Sequence, residues 1–246
     1  MPKRWARKEI EQKLLSKGCT IKRLQMRVDR FNFHNDTMCY VELGSEAEAT
    51  KVIEELNGLE EQSTKLIVKP LKADFIWGNA GKRNVEPYGS RYFYDEGTAA
   101  SDALRPLLER RRLILSVQTP GWSAGERISV AKRNATAIIE RYFGKYGIES
   151  IGDMSTFYGD KKANPRMLCL IDFKTKEGAE NAVNDHHDTQ IEGRLTWLKH
   201  SEPAAWRSHQ IQKVSPEGFK ALQEIGVVPE GQNVYEDKFV NPMPKK

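Results

Sequence analysis

The residues with catalytic potential in this 246-residue sequence form no complete site. Ser129-Val130-Ala131-Lys132 has the serine-x-x-lysine spacing in which a lysine can activate a serine. The other elements of that chemistry are missing, and Ser129 is a natural helix cap. His186 and His187 lie between Asp185 and Asp188, but adjacent side chains at a helix end point apart and no second metal-ligating pair follows. The sequence therefore predicts a protein that is not an enzyme and has no metal or cofactor.

Cationic and aromatic side chains suit a polyanionic partner. Lysine and arginine outnumber aspartate and glutamate 39 to 34, which gives a net charge of +5. Residues 74–110 also mix cations with rings in a way that suits the clamping of a flexible nucleic-acid strand. These residues are Lys82, Arg83, Tyr88, Arg91, Tyr92, Phe93 and Tyr94. The alternative, which we favour for the rings, is that they pack on a domain.

The bulk composition predicts a soluble intracellular protein of two domains. The sequence contains no apolar run long enough to span a membrane and no secretory signal. Its 3 cysteines cannot pair evenly and are expected to be reduced. We expect a nuclear or cytoplasmic location. Mitochondrial targeting by the basic N-terminus is the alternative, and Glu9 and Glu11 argue against it.

The first half alternates between helical and extended patterns. Residues 7–17 predict a short helix, and residues 21–28 and 37–43 predict a hairpin of two half-buried strands. Ser45 can cap a helix over residues 46–56, and Asn57-Gly58 ends it. Residues 66–68 supply another strand. The order is helix, strand, strand, helix, strand.

The second half repeats that order with one more strand in front. We predict strands over residues 113–118, 151–157, 167–173 and 194–199, and helices over 129–146 and 176–184. This is the split βαβ order. Periodicity lapses over 74–110, which we interpret as a linker. Beyond residue 203 the sequence predicts an extension to residue 246 with one short helix, over 215–225.

The two halves align when one is moved by 130 residues. Cys39 then meets Cys169, Val41 meets Ile171, and Ser45 meets Thr175. Few residues are identical but their physical character repeats, so we interpret the halves as two copies of one fold. We also align Trp197 with Val68, which predicts that the indole faces the core.

On these residues the chain resembles the RNA recognition motif (RRM) family. The strand Cys39-Tyr40-Val41-Glu42-Leu43, followed by an alanine-bearing helix and Asn57-Gly58, is similar to the third strand and second helix of that family. The resemblance covers about residues 6–73 and 111–203. It implies an α+β fold of two ferredoxin-like (βαββαβ) sandwiches with antiparallel sheets, as domains 1–73 and 111–203 joined by the linker.

The resemblance also implies where bases would stack. Family members present rings on the open face of the sheet, and unstacked bases lie on them. Met38 and Tyr40 occupy the two stacking positions of the first copy, and Leu168 and Leu170 occupy those of the second. One ring is present in the first copy, and none in the second.

The first copy lacks an opening strand, which is normally central in the sheet. Its loss would leave backbone groups unpaired. Candidates to fill the gap are a linker strand near Tyr92-Phe93-Tyr94, a partner chain, or a natural protein with a longer N-terminus. We favour the last.

Further binding residues are predicted around Tyr40. Alternation places Arg23, Gln25 and Arg27 on the same face, where they could meet phosphates or bases; a solvated face is the equal alternative. Other candidate cations follow the fourth strand of the first copy or flank the hairpin loop of the second. These are Lys65, Lys69, Lys72, Lys161, Lys162 and Arg166.

Two functions remain open. The first is recognition of single-stranded RNA through the first sheet and the basic linker. The second is a protein-interaction scaffold of degenerate RRM-like domains, with a protein partner on the aliphatic face of the second copy.

Overall fold

The computed structural model describes residues 1–77, 88–94, 98–118, 128–157 and 166–231. The chain forms two compact units. Unit 1 comprises Met1–Asn84, Arg91–Ala103 and Pro203–Lys246, and unit 2 comprises Val85–Ser90 and Leu104–Glu202. The C-terminal extension is therefore part of unit 1, and unit 2 lies between its segments in the sequence.

Unit 1 begins with the predicted helix and strands. The elements are α1 Arg7–Leu15, β1 Ile21–Asp29, β2 Asn35–Leu43, α2 Glu46–Leu56, β3 Glu60–Glu61, β4 Thr64–Lys65 and β5 Arg91–Tyr94. Alternation directs Leu24, Met26 and Val28 of β1 into the core, where each is at most 2% exposed. The Ser45 hydroxyl caps α2 by accepting a hydrogen bond from the Glu48 amide at 3.2 Å.

The sheet of unit 1 has three strands in the order β2–β1–β5, with β5 antiparallel to β1. Residues 66–68, predicted as a strand, do not join this sheet. The Leu66 amide donates to the Leu59 carbonyl at 2.8 Å, which extends only the small β3–β4 turn. A linker strand does form, but it pairs with β1 on the side away from β2. It therefore does not fill the position predicted to be vacant.

Unit 2 has the complete predicted order. Its elements, after α3 Thr98–Leu108, are β6 Arg112–Gln118, α4 Ile128–Phe143, β7 Ile148–Ile151, β8 Ser155–Phe157, β9 Arg166–Phe173, α5 Lys176–His186, β10 Thr189–Ile191 and β11 Arg194–His200. The antiparallel sheet runs β10–β11–β6–β9–β7, and β8 also pairs with β9. Leu113, Leu115 and Val117 of β6 are 0% exposed beneath the helices. The α+β prediction is confirmed.

The linker prediction was wrong in part, because residues 74–110 contain β5 and α3. Strand β5 depends on a tertiary partner, the edge of β1, that its own sequence does not specify. Helix α3 carried a local signal that the prediction overlooked. Ala100, Ala103, Leu104 and Leu107 are spaced for one helical face and are at most 3% exposed.

The C-terminal extension contains two helices rather than one, α6 Ala205–Val214 and α7 Pro216–Glu224. Helix α6 docks on the N-terminus of unit 1. The Gln210 side-chain amide donates to the carbonyls of Arg4 and Phe33 at 3.2 and 3.1 Å. Lys213 donates to the Arg4 carbonyl at 2.8 Å and pairs with Glu9. Helix α6 was missed because it buries polar residues, and its apolar pattern is therefore weak.

The three cysteines, Cys19, Cys39 and Cys169, are free thiols. In the part of the chain that the structure describes, no helix is long and apolar enough to cross a membrane. The same residues bring no group of three or more metal-ligating side chains together.

A buried ion pair joins β6 to β9 and provides a test of unit 2. Arg112 and Asp172 are opposite in register and at most 1% exposed, with Nε–Oδ1 at 2.6 Å and the second guanidinium nitrogen on Oδ2 at 2.9 Å. Asp172→Asn leaves a buried cation without its counter-ion. We expect it to lower the free energy of unfolding by about 3–5 kcal/mol in a urea titration. The control is Glu180→Gln, which breaks an exposed pair with Lys176 and should cost less than about 0.5 kcal/mol.

Acid should destabilise unit 1 through His34. Burial, with help from the Arg4 guanidinium, lowers the pKa of His34 from 6.5 to about 4, and its ring lies 5.7 Å from that of Trp206 in α6. The unfolded chain binds the proton more readily, so this contribution is complete above pH 6.5 and is lost as the pH falls toward 4. We expect the free energy of unfolding to fall by roughly 3 kcal/mol at most, as measured by Trp fluorescence in unfolding titrations at each pH. His34→Gln should flatten the profile, and an unchanged profile would contradict the assignment.

Candidate nucleic-acid interface

The register of β1 and β2 assembles the predicted face around Tyr40. Gln25 is opposite Tyr40, and Arg23 is opposite Glu42. Opposed residues of an antiparallel pair lie on the same face, so these side chains share one surface with Arg27 and Met38. We call it the open face of unit 1. The core side of the same strands carries Leu24 and Met26.

A segment of the chain itself covers Tyr40. We call residues 70–77 the cover segment. The ring of Phe75 lies 4.7 Å from that of Tyr40, centroid to centroid, with 37° between the planes. Trp77 meets Phe75 edge to face at 5.3 Å, and the Arg23 guanidinium lies 4.6 Å from the centre of the indole. The three rings and the cation form a continuous chain of contacts over Tyr40.

Gln25 is not available to a ligand in this conformation. It lies on β1, the central strand, and is 1% exposed. A contact of Gln25 with phosphates or bases therefore stays a prediction, and it would require Gln25 to become exposed. Met38, by contrast, is 58% exposed on the same face.

The cations around the open face differ in their partners. Arg27 pairs with Asp36 at 3.3 Å, and Arg91 of the former linker pairs with Asp29 and, at 3.0 Å, with Asp36. The exposed side chains of Lys65, Lys69 and Lys72 form no ion pair with the carboxylates of the described residues. These lysines are therefore the cations of this region whose charge is open to an anionic ligand.

A shallow cavity of about 470 Å³ lies between Tyr40 and the cover segment. Its walls combine two aromatic rings, aliphatic side chains and one residue of each charge. They are formed by Tyr40, Pro70, Leu71, Lys72, Asp74, Phe75 and Ile76. Such a mixture can hold a planar group while its polar edge is hydrogen-bonded.

Trp197 of unit 2 lies on the open side of the sheet, which corrects the prediction that it faces the core. Its neighbours Thr196 and Leu198 are 0% exposed, so alternation directs the indole to the opposite side. A displacement of 130 residues aligns Trp197 with Ile67 rather than Val68, and a slip of one residue reverses the face. Leu168 is opposite Ser116, which is itself opposite Trp197.

Arg166 is the candidate cation of unit 2 that the structure describes. Its guanidinium lies 4.1 Å from the centre of the Trp197 ring. Lys161 and Lys162 lie outside the described residues. The second open face therefore has one indole with a stacked cation, on its fourth strand rather than its third.

The former linker residues are used by the fold where the structure describes them. The Tyr88 hydroxyl donates to Glu140 at 3.0 Å, and the Tyr88 ring packs against the core of unit 2. Lys82 and Arg83 lie outside the described residues. The sequence indicated Trp77 as a loop indole that could mark an interface, but it did not predict the role of Phe75, whose only signal was a ring just after the last predicted strand of the first copy.

The strand order identifies the fold of unit 2. It has four main strands in the order β11–β6–β9–β7 with α4 and α5 as crossovers. Among the described residues, unit 1 has the counterparts of β7, β9 and both helices, but its sheet has no strand equivalent to β6 or β11. Unit 2 therefore has the ferredoxin-like α+β fold, and unit 1 has part of the same arrangement. No protein-family model matches the sequence, and no curated protein matches it.

Solved structures with some likeness are multi-domain RNA-binding proteins. A Sex-lethal protein–RNA complex is 15% identical with a TM-score of 0.30, and the match covers 82% of this chain and 95% of that one. The RNA recognition domains 1 and 2 of Drosophila melanogaster Sex-lethal are 12% identical with a TM-score of 0.26, and the match covers 82% of this chain and 95% of that one. The first two RRM domains of the yeast poly(U)-binding protein Pub1 give 13% and 0.24, covering 81% of this chain and 93% of that one.

Proposed function

We propose that this protein binds single-stranded RNA on the open face of unit 1, with Tyr40 as the stacking ring. One observation carries the proposal: Tyr40 already holds an aromatic ring, Phe75, with the ring centroids 4.7 Å apart and the planes tilted by 37°. A surface that accepts a planar ring in this geometry can accept a base. In the covered state Phe75 occupies the place that the base would take.

The magnitudes favour exchange of Phe75 for a base. An aromatic pair contributes about 0.5–1.5 kcal/mol beyond its buried area. Stacking of a base on a protein ring contributes roughly 1–3 kcal/mol. RNA can therefore displace the cover segment locally, and the lysines around it add attraction to phosphate.

The phosphate contacts that we propose come from two groups of side chains. Lys65, Lys69 and Lys72 are exposed and need no rearrangement. When the cover segment moves, Arg23 would leave Trp77 and bind phosphate, and Arg27 would leave Asp36 and do the same. Arg166 on Trp197, with Lys161 and Lys162, is the proposed contact of unit 2 with a longer RNA.

Removal of the Tyr40 ring should weaken binding. We expect Tyr40→Ala to reduce the affinity for a random single-stranded RNA by roughly five- to 150-fold, which corresponds to about 1–3 kcal/mol. Fluorescence polarisation at fixed salt measures it. Tyr40→Phe, which keeps the ring, is the matched control and should bind like the wild type. Equal affinities of all three proteins would refute the role of Tyr40.

Removal of the competing ring should have the opposite effect. Phe75→Ala frees the Tyr40 surface, so we expect RNA to bind roughly two- to twelvefold more tightly. Ile225→Ala, which removes an apolar side chain that is 51% exposed at the end of α7, is the control and should leave affinity unchanged. Weaker binding by Phe75→Ala would show that this ring belongs to the RNA site rather than to its cover.

The lysines should determine the salt dependence. Each phosphate contact on a single strand contributes about 0.7 to the slope of log affinity against log salt. We expect the change of Lys65, Lys69 and Lys72 to Gln to reduce that slope by about 2. Lys220→Gln removes one exposed cation from α7 and is the control for loss of a surface charge; it should leave the slope unchanged. A slope that is the same in both variants would place the phosphates elsewhere.

A protein-interaction role on the open face of unit 2 is the second candidate. The aliphatic row that motivates it is present, since Ile114 is opposite Leu170 and both lie beside Leu168. Leu170 is only 9% exposed, which leaves little apolar area for a partner. Absence of RNA binding, or binding insensitive to salt, would favour this candidate.

A further inference from the structure

We propose that the outer edge of β2 is a docking site for one extended strand of a partner protein that carries apolar residues at alternate positions. This inference does not depend on RNA binding. It rests on a comparison of the same position in the two units.

In unit 2 a strand fills the position next to β9, the counterpart of β2. Strand β6 lies between β9 and β11, antiparallel to both. Its Leu113 and Leu115 are opposite Ile171 and Cys169 of β9. All four side chains are at most 2% exposed, so this central strand completes the core.

In unit 1 the equivalent position holds no strand among the described residues. Strand β2 is the terminal strand of its sheet, and residues 66–68, the counterparts of β11 residues, remain outside it. Cys39, Val41 and Leu43, the counterparts of Cys169, Ile171 and Phe173, are only half-buried. Nearby Ile67 is 74% exposed. A core that is closed in unit 2 is therefore open along β2.

The backbone groups of β2 are aligned to receive a strand. In β9 the Leu170 carbonyl accepts a hydrogen bond from the Gly152 amide at 2.8 Å, on the β7 side. The backbone N–H and C=O groups of the neighbouring residues Cys169 and Ile171 therefore point the other way, toward β6. The backbone groups of their counterparts Cys39 and Val41 accordingly point to the outer edge of β2. In the described part of the chain, no main-chain hydrogen bond reaches these groups on that edge. An unpaired edge of this kind selects peptide backbone, which can continue the ladder, over nucleic acid.

The first residues of the chain define the direction and register of the strand. The Asn35 amide donates to the Lys3 carbonyl, and the Met1 ammonium donates to the Thr37 carbonyl, both at 3.0 Å. Residues 1–3 thus run antiparallel to β2, and Met1 occupies the position that Val117 has in unit 2. A docked strand that continues this course places apolar residues opposite Cys39 and Val41.

A peptide with the sequence of β6 is a suitable probe, because it satisfies this pattern in unit 2. We expect a fluorescent peptide of residues 112–118, with a glutamate added at each end, to bind the full-length protein saturably. The matched control peptide has aspartate at the positions of Leu113 and Leu115 and should bind at least tenfold more weakly. Equal binding of the two peptides, or no saturable binding of the first, would overturn the proposal.

Variants of the protein test whether the peptide binds at the outer edge of β2. Val41→Pro removes an outward amide that an edge strand can lose, and it should weaken peptide binding at least tenfold. Met38→Ala, on the open face of the same strand, should have no effect. Circular dichroism establishes that both variants are folded.

A further variant, with an N-terminal extension, does not depend on tolerance of proline. The sequence of residues 112–116 is joined directly ahead of Met1, which places its two leucines opposite Cys39 and Val41. We expect the melting temperature to rise by several degrees and the peptide to bind no longer. An unchanged melting temperature with retained peptide binding would overturn the proposal. Loss of RNA rather than peptide binding in this variant would assign the edge to nucleic acid and would also overturn it.

Discussion

Backbone pairing along β1 and β2 is the constraint on which the rest of unit 1 depends. A hairpin of two strands is marginal in water, so its outer groups and its apolar side need partners. Strand β5 pairs with one side, and residues 1–3 pair with the start of the other. Within the part of the chain that the structure describes, the rest of the outer edge of β2 has no neighbouring strand, which explains why Cys39, Val41 and Leu43 are only half-buried. This also explains why residues 66–68 do not form a strand, since a strand requires a neighbour.

The two units show how one pattern of side chains is completed in different ways. In unit 2 the central strand β6 carries both the core leucines and the buried Arg112, whose partner Asp172 is on β9. In unit 1 helix α6 instead supports the N-terminal residues through Gln210 and Lys213. The open faces differ as well. Tyr40 is covered by Phe75, whereas Trp197 is stacked by a cation from its own sheet.

Local patterns predicted those elements whose signals lie within a few residues. The alternation of Leu24, Met26 and Val28 predicted β1, and the cap at Ser45 predicted the start of α2. The pairing of β5 with β1 was not predicted because the two strands are distant in the sequence, and α6 was missed because it buries Gln210 rather than an apolar stripe. Trp197 was assigned to the wrong face by an alignment error of one residue.

The candidate site was predictable only in part, for a related reason. The register of β1 and β2 follows from their alternation, so the grouping of Arg23, Arg27 and Tyr40 could be expected. The position of Phe75 could not, because residues 70–77 form no regular element and depend on the ring that they cover. Burial of Gln25 is a further result of tertiary packing rather than of strand periodicity.

The hydrogen bond from Gln210 to the Arg4 carbonyl joins residues 206 positions apart. During synthesis, the residues of unit 2 leave the ribosome before helix α6 has been translated. Unit 1 therefore cannot make all its contacts until after the residues of unit 2 have been synthesised, although its first strands are translated earliest.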